Sequence, residues 1–361
     1  MENMVIPESL KIYNKKKVFI TGHTGFKGSW LSKFLLSLGA EVYGYSLPPN
    51  TSPNHFDLFK SEIQGEFGNI LDASTLIRSI NKFKPDIIFH LAAQPLVRES
   101  YARPVETYQT NVIGTLNVLQ AFNQCAETSS LLCITTDKVY ENKEWIFPYR
   151  EADRLGGHDM YSSSKACCEV LINSYRKSFF RKNKNKEDST KLVASARAGN
   201  VIAGGDWSTD RLIPDLVKSA VEGKKTEIRN PSAVRPWQHV MDCLHGYLLL
   251  GAQLLNGNSQ FSDSWNFGPY NSDFYTVEML INHCKNHWNE IETTYVPDKE
   301  NYHEAGLLVL DISKSIHYLN WKPAWNTETA IRKTINWYKS FYSNHDTCTQ
   351  TDINEFISTI K

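Results

Sequence analysis

The sequence predicts an α/β fold, a doubly wound parallel sheet with a smaller mixed domain attached. Three observations predict it. Apolar runs of strand length alternate with helical patterns from Val18 to Ala198, the arrangement that gives a parallel sheet covered on both faces. A glycine loop, Gly22-His23-Thr24-Gly25-Phe26-Lys27-Gly28, joins the first run to the first helical pattern. A polar stretch, Thr135-Thr136-Asp137-Lys138, directly follows the apolar run Leu131-Leu132-Cys133-Ile134. It therefore stands at the carboxyl end of a strand, where open α/β sheets bind ligands.

The first strand is Val18-Phe19-Ile20. After the loop, Trp30, Leu31, Phe34, Leu35 and Leu38 recur at helical spacing until Gly39. Strand, glycine loop and helix form a cradle for a pyrophosphate: glycines allow a tight turn and close backbone approach, and the helix N-terminus faces the anion. With glycines at 22, 25 and 28 the domain reads as Rossmann-type, the simpler alternative being a plain strand-to-helix turn. The second strand, residues 41–45, ends in Tyr45-Ser46-Leu47-Pro48-Pro49. That end lacks the acid that usually grips an adenosine ribose, and equally any Arg or Lys for a 2′-phosphate, so the predicted cofactor is NAD. Residues 68–72 read as the end of a third strand, 75–83 as a helix and 86–94 as a fourth strand. Its small residues Ala92 and Ala93 let a cofactor pass close over the backbone. Pro104 opens a helix with an apolar stripe of Val105, Tyr108, Val112, Leu116 and Leu119. Asn111 sits inside it, where asparagine is a mediocre helix former; it either holds a water or local backbone or lies on a solvated face.

Residues 140–160 form a long loop, and long ordered loops in compact domains are usually functional or mobile. A helix over 161–180, a charged loop over 181–191 and a sixth strand over 192–198 follow. Beyond Gly199 the chain changes character. Residues 200–207 are turn-rich, Arg211-Leu212-Ile213-Pro214-Asp215 opens a helix, and Arg229 and Arg235-Pro236-Trp237-Gln238-His239 follow. Arginines beside aromatics suit a phosphate ester carrying a ring, or else an ordinary surface ion-pair cluster. Residues 242–254 read as a helix, 264–268 as a short strand, and the remainder as helical and mixed, with a polar tail after Tyr342. The expected division is a dinucleotide-binding domain of 1–198 with 238–268, and a substrate domain of 199–237 with 269–361.

In Tyr161-Ser162-Ser163-Ser164-Lys165 the i, i+4 spacing puts tyrosine and lysine on one helix face. An ammonium near a phenol favours the phenolate and lowers its pKa, giving a base near neutral pH. A surface tyrosine and a surface lysine are the bland alternative; the polar strand end and the glycine loop are what favour chemistry.

Composition bounds the function. A chain of 361 residues with 41% apolar and 22% charged residues is a soluble globular protein of one large or two ordinary domains. Lys+Arg and Asp+Glu both number 39, so no overall field gathers nucleic acid or a membrane surface. No apolar run approaches the ~18 residues of a membrane span, and residues 1–17 lack the apolar core of a signal peptide. Seven scattered cysteines, odd in number and without a CxxC pair, predict reduced thiols, a cytoplasmic protein and no metal site.

The motifs resemble those of extended short-chain dehydrogenase/reductases, and among them the nucleotide-sugar 4,6-dehydratase group. The resemblance rests on TGHTGFKGSWL (21–31), HLAAQPLVRESY (90–101), TTDKVYEN (135–142), GGHDMYSSSK (156–165), ARAGNVIAGGDW with RLIPD (196–215) and RPWQHV (235–240). It spans the chain from about residue 17 to 340. Most of the group carries Asp-Glu where Asp137-Lys138 stands; Asp-Lys is a mark of its CDP-glucose branch.

The resemblance implies NAD held by Gly22, His23, Thr24, Gly25, Phe26 and Gly28, by Asn69 and Ile70 at the third strand, and by Leu91, Ala92, Ala93 and Gln94 at the fourth. Asn111, Tyr161 and Lys165 would complete that site. It implies CDP-glucose as substrate, held by Arg98, Asn200, Arg211, Arg235 and His239. Tyr161, helped by Lys165 and Thr136, would take the proton from the sugar O4. Asp137 would protonate the departing C6 hydroxyl, and Lys138 would either take the C5 proton or stabilise an enolate. Asn69 stands where the group usually has aspartate, and Thr136 where serine is frequent. A homodimer through residues 104–124 and 161–180 is implied, as is a place in deoxysugar biosynthesis of the lipopolysaccharide O-antigen type. A 4-epimerase would share the glycine loop and Tyr-x-x-x-Lys but has no use for Asp137 and Lys138. A non-catalytic dinucleotide-binding protein has no use for any of the five catalytic residues.

Overall fold

The computed structural model describes residues 6–180, 191–273, 275–297 and 306–360; the charged loop expected at 181–191 lies outside them but for Lys191. Seven strands form the central sheet: β1 (Lys17–Thr21), β2 (Glu41–Ser46), β3 (Gln64–Phe67), β4 (Ile87–His90), β5 (Ser130–Ile134), β6 (Leu192–Ala198) and β7 (Ser264–Phe267). Their spatial order is β7-β6-β5-β4-β1-β2-β3, with every neighbouring pair parallel. The winding reverses between β1 and β4, so a crevice opens there at the carboxyl ends of the strands.

Side-chain alternation builds two cores. Val18, Ile20, Phe89, Leu132 and Ile134 face one way, against α1 (Phe26–Ser37) and α6 (Val240–Leu255). Phe19, Ile88, Leu131, Cys133 and Val193 face the other, against α2 (Ala73–Phe83), α3 (Gly114–Gln124) and α4 (Met160–Tyr175). All seven residues of β6 are buried, as expected of a strand covered on both faces. The smaller half contains α5 (Leu212–Val221) and three short strand pairs: Lys225–Ile228 with Glu292–Tyr295, Val234–Arg235 with Tyr275–Thr276, and Val201–Ile202 with Gln238–His239.

Three sequence expectations are corrected. The third strand ends at Phe67 rather than within 68–72, because Asn69 Oδ1 accepts the Leu71 N–H (2.9 Å) and Asp72 Oδ1 caps α2 through the Thr75 N–H (3.1 Å). Those bonds turn the chain out of the sheet. The helix expected over 104–124 is interrupted by a π-helical turn, Gln109–Ile113, centred on Asn111. The expected polar tail is a docked helix, Thr349–Thr359, with Ile353, Phe356 and Ile357 buried. Phe356 packs edge-on to Trp325 and Phe34, with ring centroids 5.1 and 6.5 Å apart. The spacing of those three apolar residues was the signal, faint among polar neighbours.

Candidate active site

A cleft of about 1130 Å³ runs along the carboxyl ends of the strands and into the smaller half. Its first part is the glycine loop. Gly22 adopts φ +80°, and a Cβ on Gly28 would lie 2.0 Å from the Gly22 carbonyl oxygen, so neither position accepts a side chain. Gly25 is the N-cap of α1 and has no side chain to cap it, which leaves the first N–H groups of the helix available to an anion. Of the residues expected to hold the cofactor, Thr24, Phe26, Asn69, Ile70, Leu91, Ala92 and Ala93 line this part, and so does Lys27, which the sequence did not single out. Thr24 Oγ1 lies 2.5 Å from Ser46 Oγ at the end of β2. A backbone cradle, an uncapped helix start and small residues opposite fit a dinucleotide diphosphate.

Three residues predicted to touch the cofactor stand behind this wall instead. His23 is buried edge-on to Phe56, with ring centroids 5.1 Å apart. Gln94 turns back to its own loop, donating to the Leu96 carbonyl (3.1 Å) and Thr107 Oγ1 (2.9 Å). Asn111 is buried; its Oδ1 accepts the Gln94 N–H (2.8 Å) and its Nδ2 donates to Ser164 Oγ (2.9 Å). Of the two readings left open for Asn111, the structure selects the holding of local backbone, tying the β4 loop to α4.

The polar residues of the GGHDMYSSSK stretch fix α4 in place. Asp159 and Ser162 form a reciprocal capping box, Ser162 N–H to Asp159 Oδ1 at 2.9 Å and Asp159 N–H to Ser162 Oγ at 3.1 Å. Ser163 Oγ accepts from the Tyr108 hydroxyl (2.8 Å), and the Tyr161 N–H donates to Ser100 Oγ (3.1 Å). Tyr161 and Lys165 are thereby held in the cleft wall, and both are buried.

The turn after β5 faces them. Thr136 is the N-cap of a short 3-10 turn, Asp137–Val139. Its hydroxyl donates to Asp137 Oδ1 (2.9 Å), while Lys138 Nζ approaches the same oxygen at 3.8 Å. Asp137 is 2% exposed, and its Oδ2 has no partner among the described residues. Thr136, Asp137, Lys138, Tyr161 and Lys165 all line one stretch of the cleft. Here the electrostatics depart from expectation. Burial pushes the Tyr161 phenol up to about 12, although the Thr136 hydroxyl and the Arg211 charge pull it down. Burial also draws Lys165 below its usual range, and its Nζ donates to the Ile134 carbonyl at 3.3 Å.

Beneath the turn lies a network that sequence reasoning missed. Glu169, one helical turn beyond Lys165, accepts from Arg197 Nη2 (2.7 Å), Ser195 Oγ (2.9 Å), Ser264 Oγ (3.1 Å) and the Thr135 hydroxyl. Arg197 Nη1 donates to the Tyr140 hydroxyl (2.7 Å), which donates to Asn266 Oδ1 (2.7 Å). The ion pair is almost fully buried, its side chains 3% and 1% exposed.

Of the predicted substrate residues, Arg98, Asn200, Arg211 and Arg235 line the far part of the cleft. Arg98 Nη1 is 3.9 Å from Asp210, and Arg211 Nε is 3.8 Å from Asp206. His239 is excluded. It is wholly buried, caps α6 by accepting the Met241 N–H at Nδ1 (3.2 Å) and packs against Trp325 at 4.8 Å between ring centroids. The cap places its ring in the core.

Fold and cleft together define a Rossmann-type α/β enzyme site, with a dinucleotide cradle opening onto a buried tyrosine, lysine and aspartate. The comparisons narrow the class. Residues 19–334 match the GDP-mannose 4,6 dehydratase family, and the chain belongs to that family. It is 43% identical over 348 residues to CDP-glucose 4,6-dehydratase of Salmonella typhimurium, covering 95% of this chain and 96% of the other. UDP-glucose 4-epimerase of Mycoplasma pneumoniae is 24% identical, over 91% of this chain and 98% of that one. Among solved structures, the NAD complex of dTDP-glucose 4,6-dehydratase from Bacillus anthracis is similar in fold, with a TM-score of 0.74, 22% identity and coverage of 90% of this chain and 97% of that one.

Proposed function

We propose that the protein is an NAD-dependent CDP-glucose 4,6-dehydratase, converting CDP-glucose to CDP-4-keto-6-deoxyglucose and water. The observation that carries the reading is the Thr136-Asp137-Lys138 turn beside Tyr161 and Lys165, in a chain so similar throughout to a dehydratase with that activity. An epimerase needs the tyrosine and lysine but gains nothing from a buried carboxyl and an ammonium on the turn.

NAD bound in the glycine-loop half supplies the acceptor for hydride from C4 and the source of the hydride that later reaches C6. The chain's own residues do the rest. Gly22, Gly25 and Gly28 hold the diphosphate, and Lys27 adds a positive charge there. Tyr161 takes the proton from O4 as C4 becomes a ketone, with Thr136 fixing the phenol. The ketone acidifies the C5 proton. Asp137 gives a proton to the departing C6 oxygen, which leaves as water. Lys138 takes the C5 proton or steadies the enolate that forms, and after water has left C5 regains a proton from solvent. Arg98, Asn200, Arg211 and Arg235 hold the nucleotide diphosphate. The dinucleotide domain is residues 1–198 with 238–268, and 199–237 with 269–361 form the substrate domain. The active form is a homodimer, and the product enters cytoplasmic deoxysugar synthesis for lipopolysaccharide.

The test is direct. The purified protein is heated and the released cofactor weighed by mass spectrometry, and turnover is screened against CDP-, dTDP-, GDP- and UDP-glucose. NAD and a 4-keto product from CDP-glucose are expected. NADP in the released fraction, or no keto product from CDP-glucose, would sink the assignment.

A further inference from the structure

We propose that Asp215 reads the base of the substrate, accepting a hydrogen bond from an exocyclic amino group and so selecting cytidine over uridine or thymidine diphosphate sugars. The inference rests on the sugar-nucleotide reading above and deepens it.

The cleft has two ends about Tyr161. The glycine loop occupies one, so the nucleotide of the substrate must lie in the other, between α5 and the strand Lys225–Ile228. Arg98, Arg211 and Arg235 supply charge for its diphosphate. Beyond them Leu212, Ile213, Ile228 and Ala233 line an apolar slot suited to a planar ring. Helix and strand are drawn together where Thr226 Oγ1 donates to the Asp215 carbonyl at 3.4 Å.

Asp215 stands in the wall of this slot, on the first turn of α5. It is half-buried; the Arg211 backbone N–H donates to its carboxyl group, and no side-chain hydrogen bond or ion pair to that group is found among the described residues. Burial pushes that carboxyl up to about 6, against the pull of the Lys218 charge and with the Asp210 charge adding to the rise. A carboxylate so placed gains from any N–H donor brought to it. The other acids at this end are committed or solvated. Asp206 accepts the Ser208 N–H at 3.0 Å and lies 3.8 Å from Arg211, Asp210 lies 3.9 Å from Arg98, and Glu227 is exposed. Cytosine presents an amino group at C4 where uracil and thymine present a carbonyl oxygen. A carboxylate accepts from the first and repels the second, so one residue supplies both attraction and exclusion.

The test is titration calorimetry of CDP and UDP into the NAD-loaded protein, since the two ligands differ only in the base. Wild type should prefer CDP. Asp215→Asn, whose amide offers both a donor and an acceptor, should narrow that preference by about 10- to 100-fold. Asp215→Leu should weaken CDP and, with the repelling charge gone, strengthen UDP. A CDP:UDP ratio unchanged in both variants overturns the proposal, as does a wild type that prefers UDP. Failure of the dehydratase reading shows separately, as CDP selectivity without a 4-keto product from CDP-glucose.

Discussion

Glu169→Gln removes one charge from the buried pair beneath the catalytic turn and leaves Arg197 charged, 3% exposed and without its carboxylate. Burial opposes the Glu169 charge, but Arg197, with the Thr135 and Ser195 hydroxyls, holds the carboxyl down at about 2 against the usual 4.5. That difference is worth about 3 kcal/mol of stability at neutral pH. The sign follows from a folded value below the unfolded one: the contribution is complete above about pH 5 and is lost as pH falls towards 2. Breaking a buried pair on one side costs roughly 3–5 kcal/mol. Thermal denaturation at pH 7 should show Glu169→Gln melting on the order of 5–10 °C below wild type. The double variant Glu169→Leu with Arg197→Met should recover most of the loss, because no charge remains buried. Neighbouring hydroxyls keep other partners, Ser195 with Ser264 at 3.0 Å and Tyr140 with Asn266 at 2.7 Å. A single variant as stable as wild type, or a double variant no better than the single, would refute this account of the network.

Tyr161→Phe should abolish oxidation at C4, leaving no absorbance of reduced cofactor on adding CDP-glucose; an unchanged signal removes Tyr161 as the base. Asp137→Asn should permit that oxidation but slow loss of water by roughly 10²–10⁴, so reduced cofactor accumulates. Wild-type turnover in heavy water should place deuterium at C5 of the product, and product without it contradicts the elimination outright. Val105, Ile113 and Val170 are 67%, 47% and 58% exposed on the helices expected to pair. Light scattering should therefore give a dimer, and Val170→Glu a monomer; a monomeric wild type at micromolar concentration counts against it.

What was legible in the sequence was local. The glycine loop, the polar end of β5 and the start of α4 each declare themselves within about ten residues, and the structure places them as read. What was missed depends on partners distant in the chain. Glu169 meets Arg197 across 28 positions and Ser264 across 95, and no pattern around Glu169 marks it as buried. His239 belongs to a matching motif, yet its place is set by Trp30 and Trp325, whose rings flank it at 6.0 and 4.8 Å. The phenol of Tyr161 was expected to be lowered by Lys165. Spacing on a helix gives the shared face but neither the burial that raises the phenol nor the carbonyl that holds the lysine.

That burial bears on how the site works. A phenol held near 12 is almost wholly protonated at neutral pH, so positive charge beside Tyr161 favours the phenolate that accepts the O4 proton. The Arg211 charge is one fixed contribution of that kind. The acid proposed for the second step is positioned by different means. Asp137 lies on the turn after β5, and a Cβ at Gly199 would sit 3.2 Å from its Oδ2 and 2.6 Å from Pro236. Any side chain at 199 would press on the acid and on the loop carrying Arg235. Tyr161 and Lys165 are thus set by α4, while Asp137 is set by the turn after β5. Thr135, bound to Glu169 directly before that turn, joins the helix of the first step to the turn of the second.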